Sequence, residues 1–157
     1  MNSVKERLVN EVIRRLKANE FQTVAWSNVI RTEIPDDYDA SRGSLLAVLE
    51  GRENLGVNTS SRQNQFSLYL SFAIPLADGE EAQTVANNAA AEIVKTLHGN
   101  QALQEGGDGS GGAILAATFK AIAIEPNLTE DMDNCGAATV EFDVHYRTQA
   151  HDLFTAA

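Results

Sequence analysis

The sequence predicts an α+β fold, a single domain with a mostly antiparallel sheet of four to five strands and two helices packed on one face. Three observations lead to this prediction. Residues 3–18 and 78–97 carry apolar side chains at helical spacing. Residues 66–74 and 138–147 alternate between apolar and polar side chains, as strands with one buried face do. At 157 residues the chain has the length of one domain, so we expect residues 1–157 to form one unit.

Composition excludes several classes of protein. Hydrophobic residues make up 43% of the chain and charged residues 22%, which is typical of a globular domain. No segment reaches the roughly 20 apolar residues of a membrane span, and the charged N-terminus lacks the apolar stretch of a secretory signal. We therefore expect a protein that is made in the cytoplasm and has no membrane partner.

The distribution of charge bears on the partners. The formal net charge is -10, yet residues 3–18 carry five basic and two acidic side chains. Nucleic-acid binding depends on clustered Lys and Arg that neutralise phosphates, so an acidic body of this kind disfavours it. The single cysteine, Cys135, can form neither an intramolecular disulfide nor a zinc site built of cysteines. We expect it to be a buried or half-buried thiol.

An amphipathic helix opens the chain. The apolar residues of 3–18 fall on one stripe, and Ser3 with Glu6 has the spacing of a capping box. Residues 23–32 are rich in β-branched and aromatic side chains and predict a first strand. The apolar run 45–49 predicts a second strand.

The middle of the chain is predicted to contain a connection, a strand and a helix. Residues 51–63 are mostly polar and are expected to connect the second strand to the third, 66–74. The second helix is expected to begin at Asp78, a good N-cap residue, and to end before Gly99. Its small apolar residues would let it approach the sheet closely.

The last third of the chain predicts a glycine-rich loop and two strands. Residues 106–112 include five glycines, and ordering such a stretch costs much entropy. Residues 113–125 are apolar on both faces, which predicts a central strand covered on two sides. Residues 138–147 have one apolar and one charged face. Because two helices cover only one face of such a sheet, the other face meets water or a partner.

Short motifs give no support for catalysis. Residues 107–112 match GxGxxG, but a helix precedes them and a strand follows, so no helix N-terminus would meet a phosphate. Residues 131–136 begin like a calcium loop, but Cys135 replaces an oxygen ligand and Phe142 stands where the bidentate carboxylate belongs. The three histidines are too far apart for a local metal pair. We therefore predict no enzymatic activity, no catalytic residue, no metal and no cofactor.

Four features form a pattern that spans most of the chain. They are the short opening helix, the strand 45–49 ending in Glu50-Gly51, the glycine-rich loop before a long apolar strand, and the closing segment VEFDVHYRT (140–148) followed by His151-Asp152. In this pattern the chain resembles the tail terminator proteins of long-tailed bacteriophages and prophages, the lambda-like minor tail protein U family. Leu153 departs from the family, which often has proline after the aspartate.

The resemblance implies a structural virion protein at the head-proximal end of the tail, made in the host cytoplasm. Such a protein forms a homo-oligomeric ring, typically a hexamer, that caps the tail tube, ends its polymerisation and provides the docking surface for the head connector or stopper protein. DNA passes through the ring without sequence-specific binding. The implied partners are therefore other copies of the chain, the tube protein and the connector.

Such a ring needs a lumen and subunit interfaces. Loop residues are the candidates for the lumen or an assembly interface: Asp108, Ser110, Glu130, Asp131 and Asp133. The candidates for the interface between subunits lie on the basic first helix and on the polar face of the last strand: Arg14, Arg15, Glu141, Asp143, His145 and Arg147. A basic helix and an acidic body would attract each other between neighbours.

Three alternatives remain open at this level, and one of them is an accessory oligomer of host metabolism. A head-tail adaptor or completion (neck) protein would bind the connector and leave the growing tube alone. A small enzyme or ligand-binding module would use residues 106–112 as a lid over a pocket.

Overall fold

Two helices and seven strands form the fold in the part of the chain that the computed structural model describes, residues 2–18, 25–26, 28–35, 38–39, 43–56, 61–104, 114–126, 134–149 and 152–156. In chain order they are α1 (Val4–Ala18), β1 (Asn28–Ile30), β2 (Leu45–Leu55), β3 (Ser61–Pro75), α2 (Ala82–Leu97), β4 (Gly99–Gln104), β5 (Ile114–Pro126), β6 (Cys135–Gln149) and β7 (Asp152–Ala156).

The strands form one sheet in the order β1-β2-β3-β6-β5-β4. β7 pairs with the C-terminal end of β6, beyond the part of β6 that pairs with β5. Every pair is antiparallel except β1 with β2, which is parallel. The α+β class, the mostly antiparallel sheet and the two helices are therefore confirmed, and the sheet has more strands than the four or five predicted.

Both helices cover the same face of the sheet. Alternate residues of β3 and β6 point to that face, and Phe66, Phe72 and Phe142 among them are fully buried. The helices complete this core with one stripe each: Val4, Leu8, Val9, Val12 and Leu16 from α1, and Val85, Ala86, Ala89, Ala90, Ile93 and Leu97 from α2.

The start of α1 is as predicted and the start of α2 is not. Ser3 Oγ accepts a hydrogen bond from the Glu6 N–H at 3.2 Å, which confirms the expected cap. The second helix begins at Ala82 and not at Asp78, because Asp78 and Gly79 form a turn in which Gly79 has a φ of +84°. Such a φ favours glycine and interrupts a helix.

The predicted connection over residues 51–63 is wrong. β2 continues to Leu55 and β3 begins at Ser61, so most of that segment is strand. A bulge between Glu50 and Glu53 places one extra residue in β2 and breaks the two-residue alternation that marks a strand. The prediction missed this part of β2, and it also missed β4 and β7.

The central position predicted for residues 113–125 is also wrong. β3 and β6 occupy the centre of the sheet, and β5 is the second strand from one edge. Ile122 and Ile124 of β5 are each 49% exposed, so this strand is not covered on both faces.

A small second cluster covers one end of the other sheet face. Ala73 of β3 and Cys135 and Ala137 of β6 are buried there, with Ile34 and Tyr38 packed against them. The Tyr38 hydroxyl donates a hydrogen bond to the backbone oxygen of Gly43 and lies 3.4 Å from the backbone oxygen of Ala73. Cys135 is a free thiol that is 7% exposed, which confirms the expected buried cysteine, and burial raises its pKa.

Replacing Phe142 by alanine should lower the free energy of unfolding by about 3–5 kcal/mol, because a fully buried ring would leave a cavity. Phe154 of β7 is 46% exposed, so Phe154→Ala should cost less than about 1 kcal/mol. Urea unfolding followed by circular dichroism measures both variants. Equal losses would contradict the placement of Phe142 in the core.

Candidate assembly surface

The sheet face opposite the helices carries a band of polar side chains. Strand alternation and the register of β3, β6 and β5 place these residues side by side, beyond the end that Ile34 and Tyr38 cover. We call this band the open face; it consists of Gln65, Ser67, Tyr69 and Ser71 of β3, Thr139, Glu141, Asp143, His145 and Arg147 of β6, and Thr118 and Lys120 of β5.

Hydrogen bonds between strands and along β6 order the open face. Gln65 Nε2 donates to Asp143 Oδ1 at 2.5 Å, and His145 Nε2 lies 3.2 Å from Asp143 Oδ2. The hydroxyls of Ser71 and Thr139 are 2.8 Å apart. Side-chain contacts of this kind hold side chains in fixed positions before any partner binds. The open face is therefore a polar surface with much of its geometry already set.

Positive and negative groups are mixed on the open face. The register puts Lys120 directly across from Asp143 and Thr118 across from His145. Glu141 and Arg147 lie on β6 at the two sides of this pair. An arrangement with both signs of charge suits a protein partner with complementary groups better than it suits a phosphate backbone.

The Asp143–His145 contact of the open face lies on an exposed strand surface. An Asp–His contact occurs in hydrolytic triads, where a nucleophile meets the second ring nitrogen. Here the His145 side chain is 50% exposed on a flat strand surface. Over the described ranges, no group of three or more His, Cys, Asp or Glu side chains is placed to hold a metal ion.

No helix among the described residues is long and apolar enough to cross a membrane.

Arg14 and Arg15 lie on the helix side of the molecule, where they pair with Glu11. The Glu11 side chain is 5% exposed, and Arg14 donates to both of its oxygens, at 2.9 and 2.5 Å. Arg15 Nε lies 3.5 Å from Glu11 Oε1. The Arg14 hydrogen bonds hold the pKa of the Glu11 carboxyl below its usual value, although burial acts in the opposite direction.

The first turn of α1 is tied to the sheet by further charges. Lys5 Nζ lies 3.5 Å from Glu53 Oε2 and 5.2 Å from the centre of the Phe66 ring. The Tyr146 hydroxyl donates to Glu53, and burial together with this carboxylate raises the pKa of Tyr146. Arg31 completes the network by bridging Glu6 and Glu50, at 2.9 and 2.7 Å. Three basic side chains of α1, Lys5, Arg14 and Arg15, therefore bind carboxylates of their own chain.

The residues predicted for the subunit interface thus divide between two surfaces. Glu141, Asp143, His145 and Arg147 come together on the open face, whereas Arg14 and Arg15 lie on the helix-covered side. The residues predicted for the lumen or an assembly interface lie outside the described residues: Asp108, Ser110, Glu130, Asp131 and Asp133.

Sequence reasoning missed the partners of the β6 residues on this surface. Gln65 lies on β3 and Lys120 on β5. Both strands come to lie beside β6 only when the chain folds. The alternation of β3 indicates that Gln65 shares a face with Tyr69, but no local pattern indicates which β6 residue lies across from it.

Comparisons with solved structures find chains of similar fold. No protein-family model and no curated protein matches the chain. A solved chain described as the virion of a native gene transfer agent (GTA) particle matches with a TM-score of 0.60 and 16% sequence identity. The match covers 95% of this chain and 99% of that chain. The two chains therefore share a fold over almost their whole lengths.

Replacing Glu11 by glutamine should lower the free energy of unfolding at pH 7 by about 1–2 kcal/mol, because the neutral amide cannot compensate both arginines. The folded-state pKa of Glu11 lies below its unfolded value, so its contribution is full above about pH 4.3 and is lost as the pH falls through the lower folded value.

Urea unfolding of both proteins at pH 7 and at about pH 2 measures this effect, and the two curves should converge at the lower pH. The matched control is Glu33→Gln, since Glu33 is exposed and should change stability by less than about 0.5 kcal/mol. A difference between wild type and Glu11→Gln that persists unchanged at low pH would contradict the assigned role of the carboxylate.

Proposed function

We propose that this protein is a structural virion protein that forms a ring at the head-proximal end of a phage tail. The ring caps the tail tube, ends its polymerisation and presents the docking surface for the head connector. One observation carries the proposal: almost the entire chain shares its fold with a chain from a virion, and the match also covers almost all of that virion chain. Because neither chain has a large insertion or extension relative to the other, the shared fold suits a common role in assembly.

The open face supports a role in protein assembly. It is polar, has both signs of charge and is ordered by bonds between Gln65, Asp143 and His145. Non-obligate protein interfaces have a similar polar character, and groups that are already ordered lose less entropy on binding. We assign the open face to contacts with other virion proteins, the tube protein or the connector. No catalytic activity and no cofactor form part of this function.

Charge supports the passage of DNA through such a ring. The net charge of -10 gives the subunit a negative potential that repels phosphates. A wall of this sign would not retain DNA that passes it. The proposed ring therefore binds proteins and has no specific affinity for nucleic acid.

Light scattering on the purified protein, alone and with a tail tube protein, should detect a ring-sized oligomer. The ring forms either from the protein alone or only when tube is supplied, and in both cases growing tubes should stop at a defined length when the protein is added. Electron microscopy of the tubes measures their length. A protein that binds the connector and leaves tube length unchanged would instead be an adaptor.

Replacing Glu141 by lysine should reduce tube capping by at least about tenfold if the open face binds virion proteins, because reversing a charge inside an interface places like charges together. The matched control is Glu81→Lys, which makes the same change of charge at the N-cap of α2, where the side chain makes no capping hydrogen bond. Thermal unfolding checks that both variants fold. If the two variants cap tubes equally well, the open face does not bind virion proteins.

A further inference from the structure

Two strand segments on opposite sides of the sheet have no partner strand on their outer side within the described part of the chain. β1 pairs with residues 45–47 of β2, which leaves residues 48–55 of β2 paired with β3 alone. β4 pairs with residues 114–119 of β5, and the Ala121 N–H donates to His98 Nδ1 at 3.1 Å. Residues 122–126 of β5 then pair with β6 alone. We call these segments the β2 edge (48–55) and the β5 edge (122–126).

Both edges expose large apolar side chains. Ile122 and Ile124 of the β5 edge are each 49% exposed, and Leu55 of the β2 edge is 43% exposed. Across the described residues, three of the four exposed large hydrophobic side chains lie on these two edges, and the fourth is Phe154. Unpaired edges with apolar side chains are templates for pairing with another chain.

The directions of the two edges fit each other. β2 is antiparallel to β3, β3 to β6 and β6 to β5, so β2 and β5 run in opposite directions within one sheet. The β2 edge of a second copy, placed beside the β5 edge of the first, would therefore form an antiparallel pair. The sheet would continue across the boundary with the same alternation.

One register of this pair matches both charge and apolar groups. If Glu125 lies across from Arg52 of the second copy, antiparallel counting places Ile122 across from Leu55. Glu125 is on the open face, across from Thr139, and Arg52 lies in the bulge beside Ser67, which is also on the open face. The pairing therefore joins opposite charges on one side and buries two exposed apolar side chains.

We propose that copies of this chain assemble through these edges, with the β5 edge of one copy paired to the β2 edge of the next. The proposal rests on the self-assembly that the proposed function requires, and it names the surfaces that perform it. Because the two surfaces differ, the contact is heterologous and repeats from copy to copy, so it closes into a ring when the rotation is right. Every subunit then has its open face on the same side of one continuous sheet.

The bulges on both edges restrict the pairing to a matched partner. β2 carries an extra residue between Glu50 and Glu53, and β5 carries one between Ala121 and Ala123. Bulges and edge charges discourage indiscriminate pairing, because only a strand with compatible geometry and charge can bond beside them.

Disulfide formation between single-cysteine variants tests the register. Ile122→Cys and Leu55→Cys are made as separate proteins, mixed at high concentration and oxidised mildly; the buried Cys135 is present in every variant and is a constant background. The mixture should give a cross-linked dimer, and either variant alone should give none. A chain with both substitutions should give a ladder of cross-linked species. The matched control replaces Leu55→Cys with Phe154→Cys, of similar exposure but on β7, and should give no dimer.

Charge reversal gives a second and independent test. Glu125→Arg should weaken self-association at least about tenfold, and the double variant Glu125→Arg/Arg52→Glu should restore it. Light scattering measures the association of each variant.

The outcomes separate this inference from the proposed function. A ring that forms without the expected cross-link, and that does not respond to Glu125→Arg, overturns the edge pairing and leaves the proposed ring intact. Dimers formed by one single-cysteine variant alone indicate a symmetric contact and also overturn it. A chain that remains monomeric at every concentration, with and without tube protein, overturns both.

Discussion

The pairing of β3 with β6 is the constraint on which the rest of the structure depends. Its register runs from Ser61 across from Gln149 to Pro75 across from Cys135 without a shift. Because side chains alternate along a strand, this single register places Phe72 and its neighbours under the helices and Gln65 and its neighbours on the open face. A slip by one residue would exchange the two faces, exposing the core and burying charges. The stability of the core and the layout of the assembly surface are therefore fixed by the same hydrogen bonds.

Helix α2 lies close to the sheet because its contact with β6 is made by small residues. A Cβ added at Gly136 would lie 3.0 Å from the backbone oxygen of Ala82 and 3.0 Å from the side chain of Val85. Ala86, Ala89 and Ala90 of α2 continue this close approach. The first helix is held differently, by its apolar stripe in the core and by the ion pairs that Lys5 and Arg31 form with carboxylates of the sheet. Because these basic groups are engaged within the chain, the attraction expected between a basic helix and the acidic body acts largely within one subunit. Contact between subunits has to come from other surfaces.

The sequence predicts those parts of the fold in which the periodic spacing of apolar side chains is unbroken. Strict alternation identifies β3 and β6, and Ser3 with Glu6 identifies the start of α1. The two-residue period fails at the bulge after Glu50, and the exposed polar residues there look like a loop, so the end of β2 was not predicted. The candidate site shows the same division. Its β6 residues follow from alternation, whereas Gln65 and Lys120 enter only through the register of β3 and β5 against β6.

The wrong prediction for β5 has a physical reason that connects it to assembly. Exposed edge strands usually carry charged residues or proline, so an apolar run is more typical of a strand with neighbours on both sides. Within the described part of the chain, β5 meets this description only where β4 pairs with it, and Ile122 and Ile124 beyond that point are half exposed. On the proposed edge pairing, a neighbouring β2 lies beside this half, and the strand becomes interior over its whole length. The pattern of β5 would then describe the assembled protein, in which a strand near the edge of one subunit is a central strand of a shared sheet.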